Sequence, residues 1–241
     1  MYTSTSARFA VFAPTIVAAL ASTVGALCVP AYGADLSAVR PAVQPMSYNW
    51  TGIYVGANFG GVFTNEDANT PIGAASPDPS GVLGGFQLGY NYQFSPSWLL
   101  GVEAEFDLTS AQGSTNFFTP ASATTLTSDH NWYDTIGGRL GYVMGPLLVY
   151  VKGGGAWMNA DYRFIFGGGG IGGSTSINST RPGWTFGTGL EYMMTPQWSA
   201  KVAYDYLDFG TTNIGAPGGP GAAVRTEVHE VKAGLNWHWN P

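Results

Sequence analysis

Charge is what this sequence has least of. Lys and Arg number 9 and Asp and Glu 15, together 10% of 241 residues, against about 25% in an ordinary soluble domain. A conventional water-facing surface is hard to build from so few ionic groups. Basic clusters are missing as well: the net charge is −6, which argues against nucleic acid, because phosphate binding needs clustered Lys and Arg. Cysteine is nearly absent. The one example, Cys28, lies near the N-terminus, which leaves no disulfide framework and no cysteine metal site. After residue 33 no apolar run reaches 18 residues, which excludes a later transmembrane helix, and the 3.6-residue period of a helix is missing. In their place stand 35 Gly and 34 aromatic residues, 8 Trp, 13 Tyr and 13 Phe. So many aromatics exclude a disordered polar chain.

The N-terminus carries the marks of export. Arg8 supplies a positive start, Phe9 to Leu27 is uncharged and apolar, and Ala31-Tyr32-Gly33 offers small residues for cleavage after Gly33. Pro14 inside the run favours a cleaved signal over an anchoring helix. Residues 1–33 are therefore read as a secretory signal peptide, 34–49 as an extended, proline-containing lead and 50–239 as the folded domain. Removing residues 1–33 takes one of the 9 basic groups and none of the 15 acidic ones.

Period two dominates the rest of the chain. In Val82–Phe94 the even positions are Val82, Gly84, Phe86, Leu88, Tyr90, Tyr92 and Phe94, and the odd ones between them are small or polar apart from Leu83. Trp98, Leu100, Val102, Ala104 and Phe106 likewise alternate with Leu99, Gly101, Glu103, Glu105 and Asp107. Pro96, Pro146 and Pro196, spaced 50 residues apart, mark tight turns between such segments. Eight strands are expected, near 50–63, 82–94, 98–108, 132–143, 147–160, 181–194, 198–209 and 224–239. Short turns at 95–97, 144–146 and 195–197 fall at one rim. Long, mobile loops at 64–81, 109–131, 161–180 and 210–223 fall at the other. An even strand number with this asymmetry is the pattern of an outer-membrane barrel, and the expected fold is an all-β, eight-stranded antiparallel up-and-down transmembrane β-barrel.

A soluble ligand-binding barrel also alternates. Its outer face, however, would carry many charges, whereas the second face here shows Gly, Gln and Asn. The apolar face also carries Trp50, Tyr92, Trp98, Trp132, Tyr142, Trp198, Tyr206, Trp237 and Trp239 near strand ends, where amphipathic rings suit lipid headgroups. With that face in lipid, unpaired backbone groups force the sheet to close. Parity then directs Glu103, Glu105, Arg139, Lys152, Glu191, Lys201, Asp205, Glu230 and Lys232 inward, five acids against four bases. An internal salt-bridge network filling the lumen is expected; a narrow porin passing small solutes or ions past Glu103 and Glu105 is the alternative.

The run Asn49-Trp50-Thr51-Gly52-Ile53-Tyr54-Val55-Gly56-Ala57-Asn58-Phe59-Gly60-Gly61 adds specificity, together with Ala34-Asp35-Leu36, Gly138-Arg139-Leu140-Gly141-Tyr142 and Val231-Lys232-Ala233-Gly234-Leu235-Asn236-Trp237. Here the chain resembles the porin-family surface antigens of alphaproteobacterial outer membranes, which are similar to the transmembrane domain of OmpA. The resemblance covers about residues 34–239. It implies an eight-stranded barrel in the bacterial outer membrane that contributes to envelope integrity and surface exposure, with no catalytic residue and no cofactor. It implies outer-membrane lipid, lipopolysaccharide and the assembly machinery as partners. Such barrels end on an aromatic residue that the machinery reads; here Val231, Ala233, Leu235, Trp237 and Trp239 form the series, but Asn240 and Pro241 come after it.

Other chemistry is thinly represented. Ser128-Asp129-His130 invites comparison with barrel lipid hydrolases, yet three consecutive residues on one segment make poor triad geometry, and a polar loop entering the fourth strand is expected. His229 and His238 lie on opposite faces of one strand and cannot share a metal. Gly167–Gly170 lacks the Lys of a phosphate loop. Phe117, Phe118, Phe164, Ile165 and Phe166 in the long loops either contact an external molecule or extend the strands beyond the membrane; the sequence leaves the loop ligand open.

Overall fold

The computed structural model describes residues 48–70, 73–119, 122–168, 171–214 and 222–239. The signal peptide and most of the lead lie outside them. All regular structure in the described residues is strand: β1 (Gly52–Thr70), β2 (Gly73–Ala75), β3 (Ser80–Ser95), β4 (Trp98–Thr109), β5 (Gln112–Thr119), β6 (Ser122–Met144), β7 (Leu147–Gly168), β8 (Ile171–Met193), β9 (Trp198–Ile214) and β10 (Ala222–Trp239).

Every pairing is antiparallel, and the order closes on itself: β1 pairs with β10 on one side and β3 on the other, the ring continuing through β9, β8, β7, β6 and β4. These eight form an antiparallel ring with no open edge across the apolar zone, as a lipid surround demands. β2 folds back on the end of β1, and β5 is added between the ends of β3 and β6.

The outer face of the lower ring is apolar. On β4, Trp98, Leu100, Val102, Phe106 and Leu108 are exposed, while Leu99, Glu103, Glu105 and Asp107 are buried. Trp98 and Leu108 are ten residues apart, about 33 Å along a strand, or about 25 Å of height at the usual barrel tilt, the thickness of an outer-membrane apolar band. Tyr92, Trp98, Tyr142, Tyr192, Trp198 and Trp239 ring its lower margin and Trp157 and Trp184 its upper one, all exposed. Trp50 does not join them. It is fully buried, because it precedes the first paired residue of β1 and folds under the barrel.

The strands run further than expected. The described residues of segments 64–81, 109–131, 161–180 and 210–223, expected as mobile loops, are largely strand: β6 and β7 stay paired out to Ala123↔Gly167, and β7 and β8 out to Gly168↔Ile171. Their polar composition reflects exposure to water above the lipid, while Leu126, Ala160 and Tyr162 still alternate inward and are buried. The ladder thus continues as a paired extension on the extracellular side, since short turns in such barrels face the periplasm.

Candidate functional site

The lumen is filled in three layers. At the periplasmic mouth Trp50, Leu99, Val143, Leu148, Tyr150 and Met193 form an apolar cluster with Tyr48 against it. Trp50 is tied in place twice: its backbone N–H donates to Gln93 Oε1 at 3.1 Å and its indole Nε1–H to the Gly145 carbonyl at 3.3 Å.

Above it lies an ionic slab. The structure brings together all nine charged residues that parity directed inward, each buried. Lys232 Nζ lies within 2.8–3.1 Å of four carboxylates, those of Glu105, Asp107, Asp205 and Glu230. Glu105 in turn meets three ammonium groups, Lys152 and Lys201 at 2.7 Å and Lys232 at 2.8 Å. Lys152 also reaches Glu103 at 3.3 Å and Asp205 at 3.2 Å. Arg139 bridges Glu103 and Glu191, each at 3.3 Å, with its guanidinium over the rings of Tyr54 and Tyr150 at 4.7 and 5.0 Å. Mutual pairing offsets a desolvation cost of several kcal/mol per isolated ion.

Neutral groups complete the slab, and period two alone did not single them out. Tyr54 O–H donates to Glu103 at 2.6 Å. Glu191 accepts from Ser199 and Asn236 at 2.5 and 2.6 Å, and Asn91 accepts from Arg139 at 2.8 Å. Asp107 continues the Glu103, Glu105 alternation and belongs with them, which shifts the slab toward the acidic side.

The third layer is apolar again, including Val62, Leu83, Leu126, Met158, Leu207 and Val228, with Tyr133 and Tyr162. Set into it is a second polar knot that the sequence did not reveal. Glu66 Oε1 accepts from Tyr162 and Thr226 and lies 3.0 Å from His130 Nε2. Arg181 donates to Thr226 at 3.1 Å and sits over the Tyr162 ring.

Ser128 and His130 are therefore not in a polar loop. They face inward on β6 and are buried, with Asp129 on the opposite face. Ser128 Oγ and Glu66 Oε1 approach the same nitrogen of His130, at 3.4 and 3.0 Å, and Tyr133 occupies the other at 2.7 Å. A hydrolytic triad needs the acid and the hydroxyl on different nitrogens. His238 is buried inside, whereas His229 bonds Tyr204 on the outer face at 2.7 Å, so the two do not converge. Among the described residues no group of His, Cys, Asp or Glu is arranged to hold a metal ion. Ile165 is exposed; the side chains of Phe117, Phe118, Phe164 and Phe166 lie outside the described set.

The outer face of the extension carries an amide ladder. Asn131 donates to Asn159 and Asp161, both at 2.9 Å, and Asn178 donates to Asp161 at 2.8 Å and Asn159 at 3.2 Å. These two amides, Asn131 foremost, hold the Asp161 carboxyl below the usual carboxylate range.

Comparison with known proteins agrees with this architecture. Over 233 residues the chain is 29% identical to the 31 kDa outer-membrane immunogenic protein of Brucella melitensis biotype 1, covering 90% of this chain and 97% of that protein. It is 25% identical over 214 residues to the 25 kDa outer-membrane immunogenic protein of Brucella abortus, covering 86% and 90%. Among solved structures, Neisserial surface protein A aligns at 18% identity and a TM-score of 0.39, covering 78% of this chain and 98% of that one. Ail of Yersinia pestis aligns at 18% identity and a TM-score of 0.36, covering 77% and 99%. Residues 19–238 match the family described as Outer membrane protein beta-barrel domain. The chain belongs to that family and is a β-barrel of the bacterial outer membrane.

Proposed function

We propose that the protein is a closed structural barrel that contributes to envelope integrity and presents a strand-built surface outside the cell, without enzymatic activity. The observation that carries this reading is the three-layer filling of the lumen, an ionic slab held between two apolar clusters. A conduit needs a continuous wet path. Here Trp50, Leu99 and Leu148 stand at one end and Leu126, Met158 and Leu207 at the other, all buried. The competing bonds on His130 and its complete burial support the non-enzymatic part.

Outer-leaflet lipid and lipopolysaccharide are the proposed surroundings of the apolar band and its aromatic margins, and the assembly machinery is the proposed reader of β10. The outward residues Val231, Ala233, Leu235, Trp237 and Trp239 supply that signal, the domain proper spanning 50–239 after a lead at 34–49 and a signal peptide at 1–33.

Planar-bilayer recording of the purified, lipid-reconstituted protein tests the closed barrel. No sustained open-channel current is expected. A stable ohmic conductance that persists after repurification favours the narrow porin.

A further inference from the structure

The β8–β9 ladder stops at the top of the lipid band, and beyond it β8 has an edge that no described strand covers. β8 pairs with β7 over its whole length without a register shift, but with β9 only from Trp184↔Asp208 downward. Among the described residues no strand pairs with Ile171–Gly183 on the side away from β7. Two local features end the ladder. Pro182 has no N–H to give. On β9, Phe209 and Gly210 oppose the single residue Thr226 of β10, with Gly210 at φ 62°, a glycine bulge that bends β9.

Parity decides which backbone groups are left free. At the base of β8 the Met193 N–H bonds the Pro146 carbonyl on the β7 side, and the Met194 N–H bonds the Trp198 carbonyl on the β9 side. The unbroken register carries this upward: odd residues serve β7, and even ones, Ser174, Ser176, Asn178 and Thr180, turn N–H and C=O to the open edge. Their side chains are exposed.

Exposed edges are ordinarily blunted by Lys, Pro, a bulge or an inward charge. Pro182 and the inward Arg181 lie at the base of this edge, and above them, from Ile171 to Thr180, there is no charged residue and no proline, although neighbouring β6 and β7 carry Asp129, Asp161 and Arg163. Ser174–Thr180 spans about 20 Å, a normal strand length.

We propose that this edge pairs with the same edge of a second copy of the chain in a facing membrane, which deepens the proposed role in surface presentation and rests on it. Two identical uncharged edges meet without repulsion, and antiparallel pairing of identical strands is two-fold and self-complementary. Orientation decides the rest. In one membrane every β8 runs toward the periplasm, so neighbouring copies present edges of the same direction and cannot form the antiparallel two-fold pair. Copies in apposed membranes run oppositely and can. Ser174 lies ten residues beyond Trp184 at the upper margin, about 33 Å along the strand, which carries the edge clear of the lipid.

The test uses two differently labelled populations of cells producing the full chain, with folding and surface display verified for each variant by heat-modifiable migration and external antibody. Mixed clusters are expected with the natural sequence. Ser176→Lys, which charges the edge, and Ser176→Pro, which removes a donor facing away from β7, are expected to reduce mixed clustering to that of cells lacking the protein; Ser176→Thr is expected to retain it. Ser176→Cys is expected to give disulfide-linked dimers only when cells are packed together. Displayed wild-type protein that forms no mixed clusters overturns the proposal while leaving the closed barrel intact. So do clusters that survive both Ser176→Lys and Ser176→Pro, and so do Ser176→Cys dimers formed equally on dilute, separated cells.

Discussion

Tyr54 and Gly89 are register partners on β1 and β3, and the tyrosine ring lies in the space that a Cβ on Gly89 would occupy. The same relation recurs between Tyr150 and Gly189 on β7 and β8, where the ring would lie 2.5 Å from that Cβ. Both rings flank the Arg139 guanidinium, so two glycines make room for the tyrosines that line the most crowded part of the lumen.

Gly89→Ala is therefore expected to destabilise the barrel by about 1–3 kcal/mol, the usual cost of overpacking a filled interior. Urea unfolding in lipid measures it. In a Tyr54→Ala background the same substitution should cost almost nothing, because the ring it strikes is gone. A cost that persists there would assign the effect to the backbone instead.

Charge removal should separate the lumen from the surface. Lys232→Met leaves Glu105, Asp107, Asp205 and Glu230 without their shared ammonium. Breaking a buried ionic network in this way costs about 3–5 kcal/mol. Arg225 also meets two carboxylates, Asp208 at 3.5 Å and Glu227 at 2.7 Å, but its side chain is 54% exposed. Arg225→Met is expected to leave the unfolding midpoint unchanged, since solvent-exposed pairs are screened. Equal losses from the two variants would contradict a slab held by its ions.

The layered lumen also separates sealing from stability. Trp50→Ala removes the largest side chain of the lower cluster and is expected to cost about 3–5 kcal/mol, as large-to-small aromatic changes do. No sustained current should appear, because the ionic slab and the upper cluster remain. Steady conductance in this variant alone would make Trp50 the principal seal.

Much of the barrel was legible because strand parity survives wherever no bulge intervenes. β4 alternates without interruption, so Glu103 and Glu105 declare their side, and Asp107 obeys the same rule. Parity fails at two kinds of place. In β6 the register shifts between His130 and Trp132, so His130 and Tyr133, three residues apart, both face inward and bond each other. A period-two reading across Asn131 breaks there, and the polar knot with Glu66 stayed hidden. Trp50 failed for another reason: it stands before the first ladder pair, where alternation no longer constrains direction. The extension was obscured by composition, since Ser, Thr, Asn and Gly suit a hydrated strand face as well as a loop.

The amide ladder gives a pH dependence with a defined sign. Asn131 and Asn178 donate to Asp161 and lower its folded pKa from an ordinary value of about 3.9. The stabilisation is complete above that ordinary value and is lost as pH falls through the lower, folded one. Asp161 is partly exposed on the outer face of the extension, so screening keeps the effect small. In lipid nanodiscs the side-chain amide resonances of Asn131 and Asn178 are expected to titrate together, with a midpoint below about 3.9. A midpoint at or above that value would show that the ladder does not hold the carboxylate. Asp161→Asn should abolish the titration and leave the barrel folded.

Assembly is testable at the C-terminus. On β10, Val231, Leu235 and Trp239 are exposed, Ala233 lies between them, and the Trp237 and Trp239 rings meet edge-on at 3.9 Å between centroids. Trp239 pairs with Ile53 at the point where the ring closes, so the aromatic series ends where β10 must be joined to β1. Asn240 and Pro241 follow Trp239 in the sequence and are outside the described residues; a proline has no N–H to give to a ladder. Deleting both is expected to leave the heat-modifiable, membrane-inserted fraction unchanged or increased, because the outward series of β10 stays intact. Trp239→Ala should reduce that fraction while the full-length chain is still exported. If the deletion abolishes insertion, recognition rests on Asn240 and Pro241 and not on the outward series of β10.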